Sequence, residues 1–144
     1  MNSQSVPPHR RILVGIVDDE EVIRVSLCRL SEALGLSATA YASGQELIKR
    51  LEQDGPRPDC LIVDAHMPQM TGLELQQHLV IRGMRVPMVI YSADDAPEIR
   101  ARYLAAGIAE YVRKPAGGDE LLAAINRAIT VQSSAYKNPY PGDS

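Results

Sequence analysis

Five times along this chain a short apolar run is followed by a stretch with the spacing of an amphipathic helix, and no other feature restricts its fold so much. The first run, Ile12-Leu-Val-Gly-Ile-Val17, has no polar interruption and ends in two acids. A strand apolar at every position suits a parallel sheet covered on both faces, because a half-exposed strand would alternate. Ile23, Leu27, Leu30 and Leu34 then recur on one side of a helix that Gly35 stops. Leu36 to Ala42 reads as the second strand, and Ser43-Gly-Gln-Glu46, with capping-box spacing, opens a helix through Leu47, Ile48 and Leu51. Gly55-Pro-Arg-Pro58 ends that helix. Cys60-Leu-Ile-Val-Asp64 is the third strand, again closed by an acid; beyond a loop from Ala65 to Thr71, a helix carries Leu73, Leu75, Leu79 and Val80 toward Gly83. Val86-Pro-Met-Val-Ile-Tyr91 is the fourth strand, with Pro87 tolerated near its start. Glu98 to Ala106 is helical with Gly107 as its stop. Glu110-Tyr-Val112 is a fifth strand, and Asp119 to Thr130 a last helix burying Leu121, Leu122, Ile125 and Ile129.

Strict alternation without an internal repeat or linker implies a parallel sheet with helices on both faces. At 144 residues this predicts a flavodoxin-like, doubly wound (βα)5 sheet of strand order 2-1-3-4-5 rather than a barrel. The domain spans 12–130, between a polar leader (1–11) and a Ser/Pro/Gly-rich tail (131–144) read as disordered or a linker. A net charge of −3 gives no electrostatic footprint for nucleic acid or anionic lipid. Cys28 and Cys60 belong to no metal or redox motif and read as buried thiols of a reducing compartment. MNSQSVPPHRR lacks the apolar run of a signal peptide, and no segment approaches the ~20 apolar residues of a membrane span. The expected location is the cytoplasm.

In such sheets ligands bind beyond the carboxyl ends of the strands, where the first and third strands part. There this topology gathers Asp18-Asp19 and Asp64. Like charges so close resist joint ionisation unless a cation lies among them, and a hard divalent ion such as Mg²⁺ suits oxygen ligands. The plainer alternative is that these acids cap the following helices. Strand four brings Ser92 to the same edge and strand five brings Lys114. A hydroxyl and an ammonium around a carboxylate–metal cluster describe a site for phosphoryl oxygens, and a carboxylate there can be the nucleophile. Singly, Ser92 would be a turn residue and Lys114 a solvated charge.

The set Asp18-Asp19, Asp64 with Met67-Pro68 and Gly72, Ser92-Ala93, and Tyr111 with Lys114-Pro115 resembles the CheY-like receiver domain of two-component response regulators. The resemblance runs from Ile12 to about Thr130. It implies that Asp64 accepts a phosphoryl group from a histidine kinase or phosphotransfer protein. Asp19 would ligate Mg²⁺ directly, Asp18 largely through water, and the backbone carbonyl of His66 would add a ligand. Ser92 and Lys114 would contact the phosphoryl group, with Lys114-Pro115 as the family's cis peptide. Tyr111 would be the switch aromatic, turning inward as Ser92 moves and altering the face of the fourth helix, fifth strand and fifth helix.

The chain departs from the pattern at Ala116, where a Phe is frequent, and Gly117-Gly118 loosens the same turn. His66 and Asp94 occupy positions that flank water access to the phosphate, so their loss is expected to change its lifetime. An aspartyl-phosphate phosphatase of the haloacid-dehalogenase type needs an Asp two residues after the nucleophile, and here His66 stands there. The expected role is a phosphorylated acceptor rather than a turnover enzyme; the rival is an adaptor working without phosphorylation. Met67 to Leu75 resembles receivers that precede helix-turn-helix output domains. The chain thus reads as a single-domain regulator or a piece cut before its output domain, signalling to a downstream protein without touching nucleic acid or membrane itself. The mixed charges of Arg100, Arg102, Arg113 and Arg127 with Glu98, Glu110 and Glu120 suggest a homodimer face.

Overall fold

Each apolar run is a strand in the computed structural model, which describes residues 10–108 and 110–137, with side chains to Gln132. In chain order the elements are β1 (Leu13–Val17), α1 (Glu21–Ala33), β2 (Ser37–Tyr41), α2 (Gly44–Glu52) and β3 (Cys60–Val63). They continue as α3 (Gly72–Ile81), β4 (Met88–Ser92), α4 (Pro97–Ala105), β5 (Glu110–Arg113) and α5 (Gly118–Lys137). The strands form one parallel sheet of order β2-β1-β3-β4-β5, the order the sequence predicts.

Successive strand residues point to opposite faces, so one sheet serves two cores. Val17, Val63, Ile90 and Tyr111 pack with Leu47 of α2, Leu75 of α3 and Tyr103 of α4. Ile16, Ile62, Val89, Tyr91 and Val112 pack with Leu27 of α1 and Leu121 and Ile125 of α5. Each fully buried aliphatic side chain contributes roughly 1.5–3 kcal/mol, which is why the strands tolerate no polar interruption. At Gly15 a β-carbon would stand 2.8 Å from Leu61 Cδ2 and 2.9 Å from Pro58 Cγ, so the strand has no room for a side chain there.

Register delivers the acids. Val17 lies opposite Val63, and the Asp64 N–H continues the ladder to Val17 O at 3.0 Å. Asp18 and Asp64 therefore leave the sheet side by side.

The helix ends depart from expectation in three places. Ser43 accepts the Glu46 N–H, but Glu46 returns its carboxylate to Ala42 N–H rather than to Ser43. The complete capping box is at Thr71 and Glu74 of α3. α2 is stopped by Asp54 in the left-handed conformation (φ +62°) rather than by Gly55; aspartate is among the few non-glycine residues that enter that region readily. The sequence reading ends the last helix at Thr130, whereas α5 runs to Lys137, because no glycine or proline intervenes before Pro139. Of the predicted leader, Arg10 and Arg11 are described, and Arg10 pairs with Asp59 at 2.9 Å. The rest of the leader, and the tail from 138 on, lie outside the described residues.

Candidate functional site

A cleft of about 490 Å³ opens at the carboxyl end of the sheet, lined by Asp19, Asp64, His66, Ser92, Asp94 and Lys114 among others. Oxygens of Asp18, Asp19 and Asp64 lie within 4.8 Å of one another. Neither β1 nor β3 ends in a helix cap. α1 begins after Glu20 without a side-chain cap, and α3 is capped by Thr71. Asp18 Oδ1 instead accepts the Glu20 N–H at 2.9 Å, and Asp64 Oδ1 the His66 N–H at 3.2 Å. Each carboxylate thus steadies its own turn, and Asp64 also lines the cleft.

The three acids differ in environment. Asp18 is 2% exposed, with its second oxygen on Lys114 Nζ at 3.1 Å and its carbonyl on Arg24 Nη1 at 2.8 Å. Asp19 is exposed on the cleft. Asp64 stands 3.9 Å from Lys114 Nζ. Burial pushes the Asp64 carboxyl above the usual carboxylate range; the His66 N–H and Lys114 pull it back, while Asp18 and Asp19 add to the rise. One ammonium among three carboxylates leaves negative charge uncompensated, and oxygen donors only are the set a hard divalent cation takes. The residues fit Mg²⁺.

Ser92 is fully buried, and its Oγ accepts the Asp94 N–H at 3.1 Å, so it is a turn residue as well as a site residue. Lys114 follows β5 through a cis bond to Pro115, as the resemblance implies, and its own N–H is held by Ser92 O at 2.8 Å. Tyr111 is turned inward: its hydroxyl donates to Asp94 O at 2.6 Å, and Arg100 stands 5.2 Å over its ring. His66 Nε2 lies 2.9 Å from Asp94 Oδ2 across the cleft mouth. The Ala96 N–H, and then His66, hold the Asp94 carboxyl below its usual range.

Sequence reasoning missed three residues that hold this site. Arg24 pins the Asp18 carbonyl. Tyr103 meets Tyr111 edge to face at 5.9 Å and donates to Ala65 O, next to Asp64, at 3.0 Å. Tyr91, read only as a strand end, contacts Lys114 and Ala116. The available signal was compositional: the chain has no Phe or Trp, so its tyrosines carry all its aromatic packing.

Comparison with known proteins gives the family. A model of the response regulator receiver domain family matches residues 14–126. The chain belongs to the response regulator receiver family. Response regulator MprA of Mycobacterium avium is 37% identical over 113 residues, 78% of this chain and 48% of that protein. Response regulator protein TodT of Pseudomonas putida is 27% identical over 129 residues, 90% of this chain and 56% of that protein. The crystal structure of a response regulator receiver protein from Burkholderia phymatum superposes with a TM-score of 0.74 at 32% identity, covering 83% of this chain and 96% of that one. The chain spans about half the length of the curated relatives it matches. Receivers are signalling modules that bind Mg²⁺ through acidic residues, and Asp18, Asp19 and Asp64 form an acidic cluster that could hold a metal ion here. Among the described residues no helix is long and apolar enough to cross a membrane.

Proposed function

We propose that Asp64 is the phosphoryl acceptor of this receiver, taking its phosphoryl group from a phosphohistidine of a histidine kinase or phosphotransfer protein. The observation that carries the reading is the convergence of Asp18, Asp19 and Asp64 within 4.8 Å, with Lys114 bridging toward Asp18 and Asp64. An Asp64 oxygen attacks phosphorus, the bond to the imidazole nitrogen breaks, and an acyl phosphate forms on the carboxylate.

Asp19, Asp64 and the His66 carbonyl would hold Mg²⁺, with Asp18 acting through water because its own oxygens are already engaged. When bound, the cation offsets charge on the carboxylates and on the transferred oxygens. Lys114 supplies a second positive charge, and the Ser92 hydroxyl hydrogen is available to a phosphoryl oxygen. Partial burial of Asp64 strengthens both electrostatic contacts, since the local dielectric is below that of water.

Ser92 and Tyr111 are the proposed switch. Ser92 holds the Asp94 N–H while Tyr111 holds the Asp94 carbonyl, so one peptide segment reports on both. A Ser92 hydroxyl drawn toward phosphate alters the loop that Tyr111 grips, and the α4-β5-α5 face changes with it. That face would meet a downstream protein, an output domain or a second copy; it carries the Arg127–Glu110 pair at 2.9 Å, with Arg113 bound to Asp95 rather than to a glutamate. The chain acts as an acceptor in the cytoplasm rather than as a turnover enzyme.

Intact-protein mass after incubation with acetyl phosphate, with and without Mg²⁺, tests this. One Mg²⁺-dependent phosphoryl adduct on the native chain and none on Asp64→Asn is expected. An unmodified native chain that also fails to bind beryllofluoride overturns the reading in favour of a phosphorylation-independent adaptor.

A further inference from the structure

Lysine carries a point charge on a flexible stem, so a lysine that must meet one oxygen needs something to aim it. Among the described residues Lys114 is the one cation paired with Asp18 and Asp64, and Asp18 is the nearer by 3.1 Å against 3.9 Å. The ammonium rests on Asp18 while staying within reach of Asp64. The turn after it offers little restraint: Pro115 is followed by Ala116 and two glycines.

Tyr91 supplies what that turn lacks. It is 7% exposed and belongs to the core between the sheet and α1 and α5. Its ring centroid lies 5.5 Å from Lys114 Nζ, within the ~6 Å over which an aromatic face attracts a cation. Its hydroxyl accepts the Ala116 N–H at 3.0 Å, two residues past the lysine. The residue after it, Ser92, holds the Lys114 backbone N–H through its carbonyl. Two adjacent residues of β4 therefore hold the lysine by its main chain, its ammonium and the turn that follows.

We propose that Tyr91 is the positioning residue for Lys114, its ring holding the ammonium beside the Asp18–Asp64 pair and its hydroxyl fixing the turn at Ala116. The proposal rests on Asp64 being the phosphoryl acceptor and adds the residue that sets the geometry of its cationic partner. The two functions are separable, because Tyr91→Phe keeps the ring and loses the hydroxyl, whereas Tyr91→Leu loses both.

The test uses the full chain labelled with ¹³C at lysine Cε. It has three lysines, Lys49, Lys114 and Lys137, so Lys49→Arg and Lys137→Arg assign the Lys114 signal. Ring current places the Lys114 ε-protons upfield of the other two in the native chain and in Tyr91→Phe, and the displacement vanishes in Tyr91→Leu. Mg²⁺-dependent phosphorylation by acetyl phosphate slows about five- to tenfold in Tyr91→Leu and less than about threefold in Tyr91→Phe, in line with a partly desolvated cation–π contact. Unshifted Lys114 protons in the native chain overturn the proposal, as does a folded Tyr91→Leu that phosphorylates at the native rate. If Tyr91→Leu does not fold, Tyr91→Phe decides alone: loss of the upfield shift with the ring still present overturns the idea, and its retention supports it. A native chain that takes no phosphoryl group counts against Asp64 as acceptor, while the ring-current measurement reads the placement of Lys114 without phosphate.

Discussion

On the α3–α4 side of the sheet, two tyrosines reach up to the loops around the acids and give hydrogen bonds to carbonyls: Tyr103 to Ala65 and Tyr111 to Asp94. On the α1–α5 side a single tyrosine, Tyr91, takes a hydrogen bond from an N–H and lies beneath a lysine. The first pair is graded by depth. The Tyr103 bond is buried, so water cannot replace it, whereas the Tyr111 bond is part-buried and its carbonyl has a substitute partner in solvent. The contrast teaches that one face can change partners at its rim while the other holds a charged group still. A site that must both react and report needs both kinds of support.

The largest effect expected from this contrast is chemical. Cys60 belongs to the α1–α5 core, and burial, helped by Asp59, pushes its thiol up to about 12 from 9.0. Its thiolate population at mildly alkaline pH then falls about a thousandfold below that of an unfolded thiol. Alkylation with mass detection should label the less buried Cys28 first and Cys60 only on unfolding. Because the folded value lies above the unfolded one, the stabilisation is complete below pH 9 and is lost as pH climbs from 9 toward 12. Cys60→Ala should flatten that fall in denaturation curves. Rapid labelling of both thiols in the native chain would break the picture of a closed face.

Tyr103→Ala comes next, with a loss of about 3–5 kcal/mol from the cavity it opens beneath Ala65 and Gly72, measured by urea unfolding. The hydroxyl deletions are smaller and sharpen the depth argument. Tyr103→Phe should cost about 1–3 kcal/mol by stranding a buried carbonyl, and Tyr111→Phe about 1 kcal/mol or less, since water can reach Asp94 O. Equal costs for the two would remove the distinction between a fixed grip and a releasable one. Smallest in stability is His66→Ala, below about 1 kcal/mol, because its pair with Asp94 is exposed. Its effect should show instead as a changed lifetime of the aspartyl phosphate, as should that of Asp94→Ala, with Mg²⁺ affinity intact. Unchanged dephosphorylation in both variants would take the pair out of the chemistry.

Much of this molecule is legible in its sequence, for a physical reason. Strand runs such as Cys60–Val63 are apolar at every position because both faces are covered, and a parallel sheet then puts Asp18, Asp64, Ser92 and Lys114 at one edge by register alone. What escapes is whatever depends on contacts between distant residues with no local period. The Tyr103 bond to Ala65 spans 38 positions, and Tyr91 to Ala116 spans 25, and neither leaves a pattern in a short window. Helix ends are a middle case. Ser43-Gly-Gln-Glu46 and Thr71-Gly-Leu-Glu74 share the spacing of a capping box; the sequence reading names the first and the complete box forms at the second, and the left-handed turn at Asp54 competes with a glycine one position on.

The length of α5 has a mechanical consequence. Its 20 residues extend about 30 Å, nearly twice the roughly 17 Å of a five-residue strand in the sheet it crosses. Its first residue, Gly118, comes four positions after Lys114, so the near end of this rod begins beside the turn that carries the site's cation. A tilt of about 5° at that end displaces the far end by about 2.6 Å, given a rise of about 1.5 Å per residue. The helix has the proportions of a lever whose near end lies beside the acids, so a small change of tilt there is a displacement of ångströms at the other end.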